Sequence, residues 1–421
     1  MRIGLLGFGT VGSAFAEVLA AAGNEDVRIT WVFNRGVERK RGHARAKFVA
    51  DGAVWTESVE DVLGAADVDV VVELMGGLDP VEGWLRAALG AGKHVVTANK
   101  QLIAYRGAEL FELAASKGVQ LLYGAAVAGG VPVIPGLAQG LCGDQITRIS
   151  GIVNGTCNFI LSSMENGAEY SAVLVEAQRK GYAEADPSAD VDGFDARAKL
   201  CVLARLALHA EIDPEQVPAR TISTISAVDF AYAKELGCTV RQVSRAQIAG
   251  DTVSASVGPM LVPKTSPIAW SHGTQNMVVT SGRFGGDVVF SGHGAGGHPT
   301  AVAVMSDVRA IAEGSVQVRL PARKMAVVGD VVAPHYLRFV VDDKPGIVAA
   351  IANELAKVGA NIDSILQHRG FGGDRLPFVV TTEPCLSSKL DEAIVEMAKF
   401  EFMLEPPLCL QILVVDDRDT D

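Results

Sequence analysis

The chain has 421 residues, of which 49% are hydrophobic, and this length accommodates two or three domains with buried cores. Its formal net charge of -12 argues against nucleic acid or an anionic membrane as a partner. The six cysteines are widely scattered without a C-x-x-C pair, which is typical of reduced thiols in a cytoplasmic protein.

The chain begins with a short apolar strand, Ile3 to Leu6, and a glycine-rich stretch of the pattern G-x-G-x-x-G follows at once. A helix is predicted through Leu19. In this setting the glycines permit a tight turn, the approach of a pyrophosphate to the backbone and close helix–strand packing. The glycine spacing and the charge of Glu17 favour a dinucleotide site over a secretory signal peptide. The residues predicted to bind the cofactor here are Gly7, Phe8, Gly9, Thr10, Val11 and Gly12.

The end of the second predicted strand, Val27 to Phe33, indicates which nicotinamide cofactor is used. An acidic residue at this position would bind the ribose 2′-hydroxyl of NAD. Here the strand ends in Asn34 and Arg35, and a basic run follows at 39–41. Because an arginine can contact a 2′-phosphate, NADP is expected, with NAD as an alternative. The basic run is also compatible with a solvated helix face.

Two valine-rich runs, residues 68–74 and 93–96, predict buried parallel strands. Ligands of such sheets collect at the carboxyl ends of the strands. The sequence Thr97-Ala98-Asn99-Lys100 follows the second run, so we expect Lys100 to lie near the nicotinamide. The alternative is a lysine that merely starts the next helix.

Two segments in the middle of the chain have the composition of ligand-binding loops. Residues 121–132 are too rich in Gly and Ala for a packing strand, and suit a loop whose carbonyl groups face a ligand. After a predicted strand at 149–153, the sequence Asn154-Gly155-Thr156-Cys157-Asn158 leads into a helix from Phe159. Thr156 and the neighbouring backbone could receive a substrate carboxylate at the helix start. The alternative is that Asn and Thr there are only helix caps, which is the commoner case.

Residues 181–200 combine an acidic turn with the first turns of an apolar helix. The acidic residues stand among Gly, Pro and Ser, which favour turns. From Phe194 the composition becomes apolar, and a helix is predicted from near Gly193 toward Leu208. Asp195 and Lys199 are four residues apart, so they share one face of that helix.

The pair has two interpretations. As an exposed ion pair it would be worth about 0.3–0.5 kcal/mol and would carry no chemistry. A lysine in apolar surroundings beside a carboxylate can instead act as a proton donor, because burial lowers the pKa of an ammonium group and the carboxylate fixes its orientation. The adjacent acidic turn favours the second interpretation, since its carboxylates could hold a substrate ammonium group.

The region from 209 to 290 alternates Ser, Thr and Val, and predicts an antiparallel sheet that could carry a subunit interface. A second glycine-rich loop, 291–300, precedes an apolar helix predicted from Ala301 to Ala312. Glycines there allow the close approach of the backbone to a ligand. His293 and His298 are interpreted as loop residues, because no acidic or thiol partners accompany them as metal ligands.

Residues 181–200 resemble, nearly position for position, the signature segment of homoserine dehydrogenases. The segments ending at Gly77 and Lys100 are similar to that family as well, and the resemblance covers essentially the whole chain. It implies reversible NADP(H)-dependent hydride transfer between L-aspartate 4-semialdehyde and L-homoserine, in threonine, methionine and isoleucine biosynthesis. With no kinase-like region before the nucleotide fold, it implies a monofunctional member.

The resemblance also implies roles for single residues. Lys199 and Lys100 match catalytic residues, and Asp195 matches the aspartate that supports the lysine. The residues that match substrate-binding positions are Glu184, Asp190, Thr156, Gly155 and Tyr182. Gly181 and Gly296 match positions near the cofactor, in addition to Arg35 and Lys100.

The Gly/Ala-rich loop matches a sodium-binding loop of the family, whose ligands are largely main-chain oxygens. The corresponding residues are Val127, Gly129 and Val131. Many members have a glutamate where this chain has Gly124, so the one charged ligand of that site is missing here.

The C-terminal region has the order β-α-β-β-α-β and looks like an ACT domain, with a D-x-P-G turn at Asp343 to Gly346. The resemblance implies regulation by an amino acid such as threonine. A pure dimerisation role is the alternative, and a homodimer or homotetramer is expected. The acidic tail is expected to be disordered.

These observations predict an α/β chain with a Rossmann-type doubly wound sheet, an α+β catalytic domain and a ferredoxin-like ACT domain. The predicted domains are residues 1–130 for the dinucleotide, completed by about 300–325, residues 131–300 for catalysis and dimerisation, residues 335–415 for the ACT domain, and the tail 416–421. Two rival functions remain: another NADP-dependent dehydrogenase of similar layout, and a catalytically silent sensor. Retention of Lys100, Asp195 and Lys199 together argues against the sensor.

Overall fold

The computed structural model describes residues 1–23, 25–315, 321–368 and 375–414. The chain divides into two compact units. The segments of the first unit are Met1–Ile149, Ala196–Gln216 and Thr274–Met325, and those of the second are Ser150–Asp195, Val217–Gly273 and Ala326–Asp421. The acidic tail that was expected to be disordered, residues 416–421, lies outside the described residues.

The regular elements are numbered in chain order. The helices are α1 (Thr10–Ala21), α2 (Val37–Arg41), α3 (Val59–Gly64), α4 (Val81–Gly90), α5 (Lys100–Ser116), α6 (Val133–Pro135), α7 (Gly155–Glu165), α8 (Tyr170–Arg179), α9 (Ser188–Val191), α10 (Phe194–Ala207), α11 (Ala227–Glu235), α12 (Gly297–Ala312), α13 (Ile347–Lys357) and α14 (Ser387–Met397). The strands are β1 (Arg2–Leu6), β2 (Arg28–Phe33), β3 (Val54–Thr56), β4 (Val70–Glu73), β5 (His94–Thr97), β6 (Leu121–Leu122), β7 (Ile146–Ile152), β8 (Ala210–Glu211), β9 (Cys238–Ala249), β10 (Thr252–Pro263), β11 (Gln275–Gly282), β12 (Gly286–His293), β13 (Arg323–Lys324), β14 (Ala326–Val328), β15 (Val332–Ala333), β16 (His335–Val341), β17 (Ile362–Leu366), β18 (Leu376–Thr382), β19 (Cys385–Leu386) and β20 (Leu408–Ile412).

The first unit is built on a six-stranded parallel sheet in the order β3-β2-β1-β4-β5-β6. This order is that of the dinucleotide-binding fold, and it confirms the predicted Rossmann-type sheet. Strands β1 and β4 are in register at Ile3 and Val70, and both residues are fully buried. Continuous apolar runs form these strands because helices cover both faces of such a sheet.

Helices α1 and α12 pack together in the core of this sheet, although they are far apart in the sequence. Phe15 of α1 and Val304 of α12 are both fully buried. The segment that contains α12 therefore completes the dinucleotide-binding unit. The antiparallel hairpin of β11 and β12 belongs to the same unit.

The second unit contains a long antiparallel pair, β9 and β10, in register from Cys238 opposite Pro263 to Ala249 opposite Thr252. This pair confirms the antiparallel sheet predicted within 209–290. Residues of α7 and α11 cover it, with Ile160, Tyr232 and Val240 fully buried in one cluster. Helix α11 was not anticipated from the sequence.

The C-terminal part of the second unit has the order β16-α13-β17-β18-α14-β20, with the sheet order β20-β16-β18-β17. This arrangement confirms the predicted ferredoxin-like ACT fold. Strand β20 also pairs in parallel with β10, with Met260 opposite Gln411, so the ACT sheet continues the sheet of the unit. Helices α13 and α14 bury Ile351 and Leu390 against its strands.

A buried ion pair joins the ACT strand β16 to helix α11. Asp229 is fully buried and accepts hydrogen bonds from the Arg338 guanidinium, from the Tyr336 hydroxyl at 2.8 Å and from the Ser226 N–H at 2.8 Å. Removing one partner of such a pair typically costs about 3–5 kcal/mol, because the other charge is left uncompensated. The contact therefore fixes the ACT domain to the helix.

Several boundaries differ from the predictions, and three of the differences bear on the ligand-binding segments. Helix α7 begins at Gly155 rather than Phe159, because the Asn154 side chain accepts the Cys157 N–H and caps the helix. Helix α12 begins at Gly297 rather than Ala301. The Gly/Ala-rich stretch was interpreted wholly as a loop, but its first two residues form the edge strand β6 of the parallel sheet.

Candidate functional site

The glycine-rich loop between β1 and α1 has the close packing that the fingerprint requires. Gly7 has φ of 103°, in the left-handed region. A Cβ atom on Gly12 would lie 2.0 Å from the Gly7 carbonyl oxygen, so only glycine fits there. A Cβ atom on Gly9 would meet no protein atom within 4 Å, which leaves space on that side for a pyrophosphate. The residues of the loop fit a dinucleotide.

Asn34, at the end of β2, fixes this loop. Its side-chain oxygen accepts the Phe8 N–H at 2.9 Å, and its amide donates to the Arg35 carbonyl at 2.5 Å. The Arg35 side chain is exposed at this point. No acidic residue follows β2 directly, so the strand end carries positive charge where NAD-specific proteins place a carboxylate.

The carboxyl ends of β4 and β5 are joined by a buried glutamate, which the sequence reasoning missed. Glu73 is fully buried and accepts the N–H groups of Met75 at 2.6 Å and Gly76 at 2.9 Å, as well as the Thr97 hydroxyl. The feature of the sequence that indicates this residue is a charged side chain at the end of a valine-rich strand. Lys100 follows as the first residue of α5 and is half-buried.

Asn99 caps helix α5 next to Lys100. Its side-chain oxygen accepts the Leu102 N–H at 3.1 Å and its amide donates to the Gly77 carbonyl at 2.6 Å. The turn after β4 and the start of α5 are therefore tied together, as expected for the ligand-binding edge of a parallel sheet.

The second glycine-rich loop lies against the first turn of α1. A Cβ atom on Gly297 would be 3.1 Å from the Thr10 carbonyl oxygen, and Gly296 has φ of 119° as the residue before α12. The same contact region includes His298, whose Nε2 lies 3.0 Å from Glu17 Oε2. Hydrogen bonds from His298 and Arg45 lower the pKa of Glu17. Gly296 thus directly precedes the residue that contacts the first turn of α1, and its role at the cofactor stays a prediction.

The loop at 127–131 packs backbone to backbone against the second glycine-rich loop. Gly129 has φ of 49°, and a Cβ atom there would lie 2.4 Å from the Gly294 carbonyl oxygen. The Gly130 N–H donates to the His293 carbonyl at 3.2 Å. The carbonyl of Val131 accepts the Val133 N–H at 2.7 Å. Glycine is required at position 129 because the backbones of the two loops pack directly against each other. This requirement does not depend on a bound ion.

Asp307 of α12 occupies the space beside Gly124. Its Oδ2 accepts the Gly124 N–H at 2.7 Å, and a Cβ atom on residue 124 would lie 2.9 Å from Oδ1. The carboxylate is buried. Among the described residues, no group of three or more His, Cys, Asp and Glu side chains is arranged to hold a metal ion.

In the second unit, Asn154 brings two of the predicted site residues together. Its side-chain amide donates to Asp190 Oδ1 at 2.7 Å and to Asp195 Oδ2 at 2.9 Å, while its oxygen caps α7. Asn154 is buried. Sequence reasoning treated it only as a cap, and because asparagine is a common N-cap residue, no local signal indicated its contacts with the two aspartates.

Further contacts hold the backbone of Asp190. The Cys157 thiol donates to the Asp190 carbonyl at 3.1 Å, and the Gln242 amide donates to it at 3.3 Å. The carboxylate itself is half-buried. The acidic residue is therefore preorganised, with both its main chain and its side chain fixed.

The predicted carboxylate site at the start of α7 is differently arranged. The Thr156 hydroxyl donates to the Tyr182 carbonyl at 2.6 Å, so its hydrogen is already committed, although its oxygen can still accept. Tyr182 is exposed and its ring packs edge-on against Phe159 at 5.1 Å. The contact connects α7 to the acidic turn rather than leaving the hydroxyl free.

The remaining predicted residues of the acidic turn are more exposed. The Glu184 side chain is exposed, and the Gln178 amide donates to the carbonyls of Glu184 at 3.1 Å and Ala185 at 3.3 Å. Gly181 has φ of 74° and is exposed. Glu184 is therefore held by its main chain, while its carboxylate is available to solvent.

Helix α10 carries the predicted catalytic pair. Asp195 and Lys199 are both half-buried and lie one turn apart on it. The helix continues with fully buried Leu200 and Ala204. Burial raises the pKa of the neighbouring Cys201 thiol to about 12, so this cysteine stays protonated at neutral pH.

Comparison with known proteins covers nearly the whole chain. Residues 7–124 match the family described as "Homoserine dehydrogenase, NAD binding domain", residues 132–308 match "Homoserine dehydrogenase", and residues 335–393 match "ACT domain". The homoserine dehydrogenase of Bacillus subtilis is 38% identical over 399 residues, which is 90% of each chain. The chain belongs to the homoserine dehydrogenase family. It is thereby one of a family of NAD(P)-dependent oxidoreductases that act on CH–OH groups.

Solved structures of homoserine dehydrogenases share the fold. The enzyme of Thiobacillus denitrificans is 33% identical and superposes with a TM-score of 0.89 over 98% of both chains. A hyperthermophilic archaeal homoserine dehydrogenase in complex with NADPH is 28% identical and superposes with a TM-score of 0.65, over 76% of this chain and 99% of that one. The predicted family, the fold class and the use of a nicotinamide cofactor are confirmed, whereas the choice of NADP over NAD, the sodium ion and the roles of individual residues remain predictions.

In the described parts of the chain, no helix is both long and apolar enough to cross a membrane.

Proposed function

We propose that this protein catalyses the reversible, NADP(H)-dependent interconversion of L-aspartate 4-semialdehyde and L-homoserine in the cytoplasm. In the direction of reduction, a hydride is added to the aldehyde carbon and a proton to the aldehyde oxygen, so that an alcohol is formed. The bound dinucleotide supplies the hydride. The protein must supply the proton and hold the substrate.

The observation that supports this proposal best is the double hydrogen bond of Asn154. It holds Asp190, the proposed partner of the substrate ammonium group, and Asp195, the proposed partner of the catalytic lysine, on one side chain. Both carboxylates are thereby fixed in position relative to one buried amide group. Lys199 follows Asp195 by one helical turn.

Lys199 is proposed as the proton donor, with Asp195 orienting it and Lys100 as the second cationic group at the reacting oxygen. As hydride arrives at carbon, negative charge develops on the oxygen, and a positioned acid there contributes about 10²–10⁴-fold to the rate. Electrostatic stabilisation by a second ammonium acts in the same direction.

Substrate recognition is proposed to use both signs of charge. Asp190 and Glu184 would bind the ammonium group, and the start of α7, at Gly155 and Thr156, would bind the carboxylate through main-chain N–H groups. Tyr182 would border this site. Because the Thr156 hydroxyl donates to the Tyr182 carbonyl, the proposal assigns the carboxylate to backbone donors rather than to that hydroxyl.

The cofactor is proposed to be NADP rather than NAD, with Arg35 facing the 2′-phosphate. The pyrophosphate would lie on the loop Gly7, Phe8, Gly9, Thr10, Val11 and Gly12, and Gly181 and Gly296 would complete the binding site. The exposed guanidinium after β2 and the absence of a following carboxylate support this assignment.

We propose a sodium ion whose ligands differ from those of the family's sodium site. Val127, Gly129 and Val131 offer carbonyl groups, but position 124 carries no side chain. Asp307 lies at that position and would supply the negative charge that the family's glutamate provides elsewhere. Calorimetric titration with sodium chloride, against potassium chloride, on the parent and Asp307→Asn tests this. The same binding signal with sodium and potassium chloride would contradict the proposed sodium site. The same sodium binding by the parent and Asp307→Asn would contradict it as well.

The assembly and regulation are proposed from the ACT domain. An amino acid such as threonine would bind there as an effector, and the chain would assemble as a homodimer or homotetramer. The limits 1–130 with 300–325, 131–300 and 335–415 stay a proposal about functional regions, and they differ from the two compact units, since residues 196–216 and 274–300 belong to the first unit.

One experiment tests the function directly. Initial rates of NADPH oxidation with aspartate semialdehyde are compared with NADH, with and without threonine, and against a panel of other small aldehydes and ketones. We expect turnover with aspartate semialdehyde well above the panel, and faster with NADPH. Preference for another carbonyl substrate would favour a different dehydrogenase, and no turnover with any substrate would contradict the enzymatic function.

A further inference from the structure

One shared carboxylate joins helices α5 and α10, which carry Lys100 and Lys199. The Tyr105 hydroxyl of α5 donates to Glu215 Oε1 at 2.6 Å. The Arg197 Nη2 of α10 donates to the same oxygen at 2.8 Å. All five residues belong to the first unit. The proposed function assigns no role to the three residues that form this contact.

The carboxylate of this contact is ionised, and one of its two donors is well shielded from water. The side chain of Arg197 is 14% exposed, whereas that of Glu215 is 63% exposed. The hydrogen bond from Tyr105 and the charge of Arg197 lower the pKa of Glu215, so this group is charged at neutral pH. Hydrogen bonds to a charged acceptor are shorter and roughly twice as strong as those between neutral groups. The short contact with Tyr105 agrees with this.

The segment that follows α10 presents Glu215 to both helices. His209 has φ of 51°, in the left-handed region, at the point where the chain leaves the helix. Asp213 Oδ1 then accepts the Glu215 N–H at 3.0 Å, and Pro214 between them is buried. The main chain at Glu215 is therefore fixed, although its carboxylate is exposed.

A second contact between the same helices shows how they run. The Arg205 guanidinium of α10 lies 5.2 Å from the centre of the Phe111 ring of α5, and it also donates to Glu211 at 2.9 Å. Tyr105 and Phe111 are six residues apart, about 9 Å along a helix. Arg197 and Arg205 are eight apart, about 12 Å. Because the two contacts advance together, α5 and α10 run side by side in roughly the same direction.

The contact made by Glu215 lies in the part of each helix that carries a lysine. Lys100 is the first residue of α5, five residues before Tyr105, and Lys199 follows Arg197 by two residues. In the proposed reaction both ammonium groups act at one oxygen, and like charges repel each other. The helices that carry them therefore need a contact that holds their spacing against this repulsion.

We propose that Glu215 is a positioning residue for the two lysines. By accepting hydrogen bonds from Tyr105 and Arg197, it fixes the spacing of α5 and α10, and thereby that of Lys100 and Lys199 at the reacting oxygen. Glu215 acts through the two helices and is not itself a catalytic residue. The tie between the helices is independent of the proposed function, whereas its effect on turnover rests on that function.

The test compares three variants in the reduction of aspartate semialdehyde by NADPH. Glu215→Ala removes the shared acceptor, Tyr105→Phe removes one donor without changing the charge, and the third variant combines both changes. Arg106→Ala is the matched control. Arg106 is the exposed residue next to Tyr105 on α5, and its guanidinium pairs with Glu82 of α4 at 3.2 Å.

We expect kcat to fall about tenfold or more in Glu215→Ala, because small displacements of positioned groups are costly, while NADPH binds as it does to the parent. Tyr105→Phe should lower kcat in the parent but not in the Glu215→Ala background, since both residues act through one contact. Arg106→Ala should behave as the parent does. A kcat within about twofold of the parent in Glu215→Ala would overturn the proposal, and so would an equal fall in Arg106→Ala.

Urea unfolding of the same variants tests the tie between the helices without using turnover. Tyr105→Phe should lower the urea midpoint in the parent but not in the Glu215→Ala background. An equal decrease in both backgrounds would show that Tyr105 and Glu215 act separately, which would overturn the tie. A parent without turnover would contradict the proposed function instead, and the urea measurement would still decide whether the tie exists.

Discussion

Asn154 donates a hydrogen bond of 2.9 Å from its side-chain amide to the carboxylate of Asp195. The same amide donates to Asp190, and the amide oxygen caps helix α7. One buried side chain thus fixes a helix start, the acidic turn and the aspartate that precedes Lys199 by one helical turn. The arrangement makes Asn154 a positioning residue for the proposed catalytic group.

Replacing Asn154 by serine separates its two tasks. Serine is a good N-cap, so the helix start is retained, but its hydroxyl cannot donate to both carboxylates. We expect kcat/KM for aspartate semialdehyde to fall about 10²-fold, since small displacements of positioned groups cost about this much. The dissociation constant for NADPH and the melting temperature should change little, as measured by fluorescence titration and calorimetry.

The variant Asn154→Asp is the companion test. It keeps the size of the side chain but adds a third carboxylate and removes the donors, so like charges face each other. Its activity should be lower than that of Asn154→Ser at neutral pH. If Asn154→Ser kept kcat/KM within about twofold of the parent, the positioning role would be wrong.

Substitutions of Gly12 and Gly9 in the dinucleotide loop should have different effects, the first on stability and the second on NADPH binding. Gly12→Ala places a Cβ atom 2.0 Å from the Gly7 carbonyl oxygen. It should therefore lower the melting temperature, and it should reduce the free energy of unfolding by about 1–3 kcal/mol. Gly9→Ala meets no protein atom within 4 Å, so its stability should be close to that of the parent. The added methyl group faces the expected pyrophosphate, and NADPH affinity should fall at least about tenfold. Unchanged NADPH affinity in Gly9→Ala would show that the loop does not bind the dinucleotide.

Coenzyme preference should depend on Arg35. A hydrogen bond to a charged group is worth about 1.5–3 kcal/mol, so Arg35→Ser should raise the KM for NADPH about 10- to 100-fold while leaving that for NADH nearly unchanged. Arg39→Ser, in the exposed basic run of α2, is the matched control and should change neither value. An equal effect of both substitutions would indicate a general field of positive charge instead of a specific contact.

The stability of the protein should fall in weak acid because of His335. This residue is buried, its Nε2 lies 2.9 Å from the Ser387 hydroxyl, and burial lowers its pKa from 6.5 to about 4. Between these values the unfolded chain binds a proton that the folded chain does not, so the free energy of unfolding decreases as the pH falls from about 6.5 to about 4. The contribution is about 3 kcal/mol.

Urea unfolding at neutral pH and near pH 5 measures this effect. The decrease in the free energy of unfolding should be smaller in His335→Gln than in the parent. His43→Gln, which alters an exposed histidine, is the control and should behave as the parent does. Equal acid sensitivity of His335→Gln and the parent would contradict the prediction.

The sequence predicted most of the fold because its strongest patterns are local. The valine runs of β4 and β5 and the fingerprint before α1 each contain enough information to place an element at the edge of a parallel sheet. The ACT fold was predicted from a resemblance, which rested on the β-α-β-β-α-β order and the D-x-P-G turn. The start of α7 was placed four residues late, because capping by Asn154 extends a helix through Gly155, which is a poor helix former.

The contacts that organise the site could not be predicted, because they join residues distant in the sequence. Asn154 and Asp195 are 41 positions apart, and Gly124 and Asp307 are 183 apart. No local sequence pattern around either pair indicates that its two residues are in contact. The hydroxyl of Thr156 illustrates the same limit, since only the three-dimensional structure shows that it donates to the Tyr182 carbonyl.

The most direct test of the account is the activity of Lys199→Ala in the reduction of aspartate semialdehyde by NADPH, with NADPH binding measured on the same preparation. If the Lys199 ammonium group donates the proton, kcat should fall by at least about 10² while NADPH binds as it does to the parent. Turnover within about tenfold of the parent, at unchanged NADPH affinity, would contradict the assignment of Lys199 as the acid.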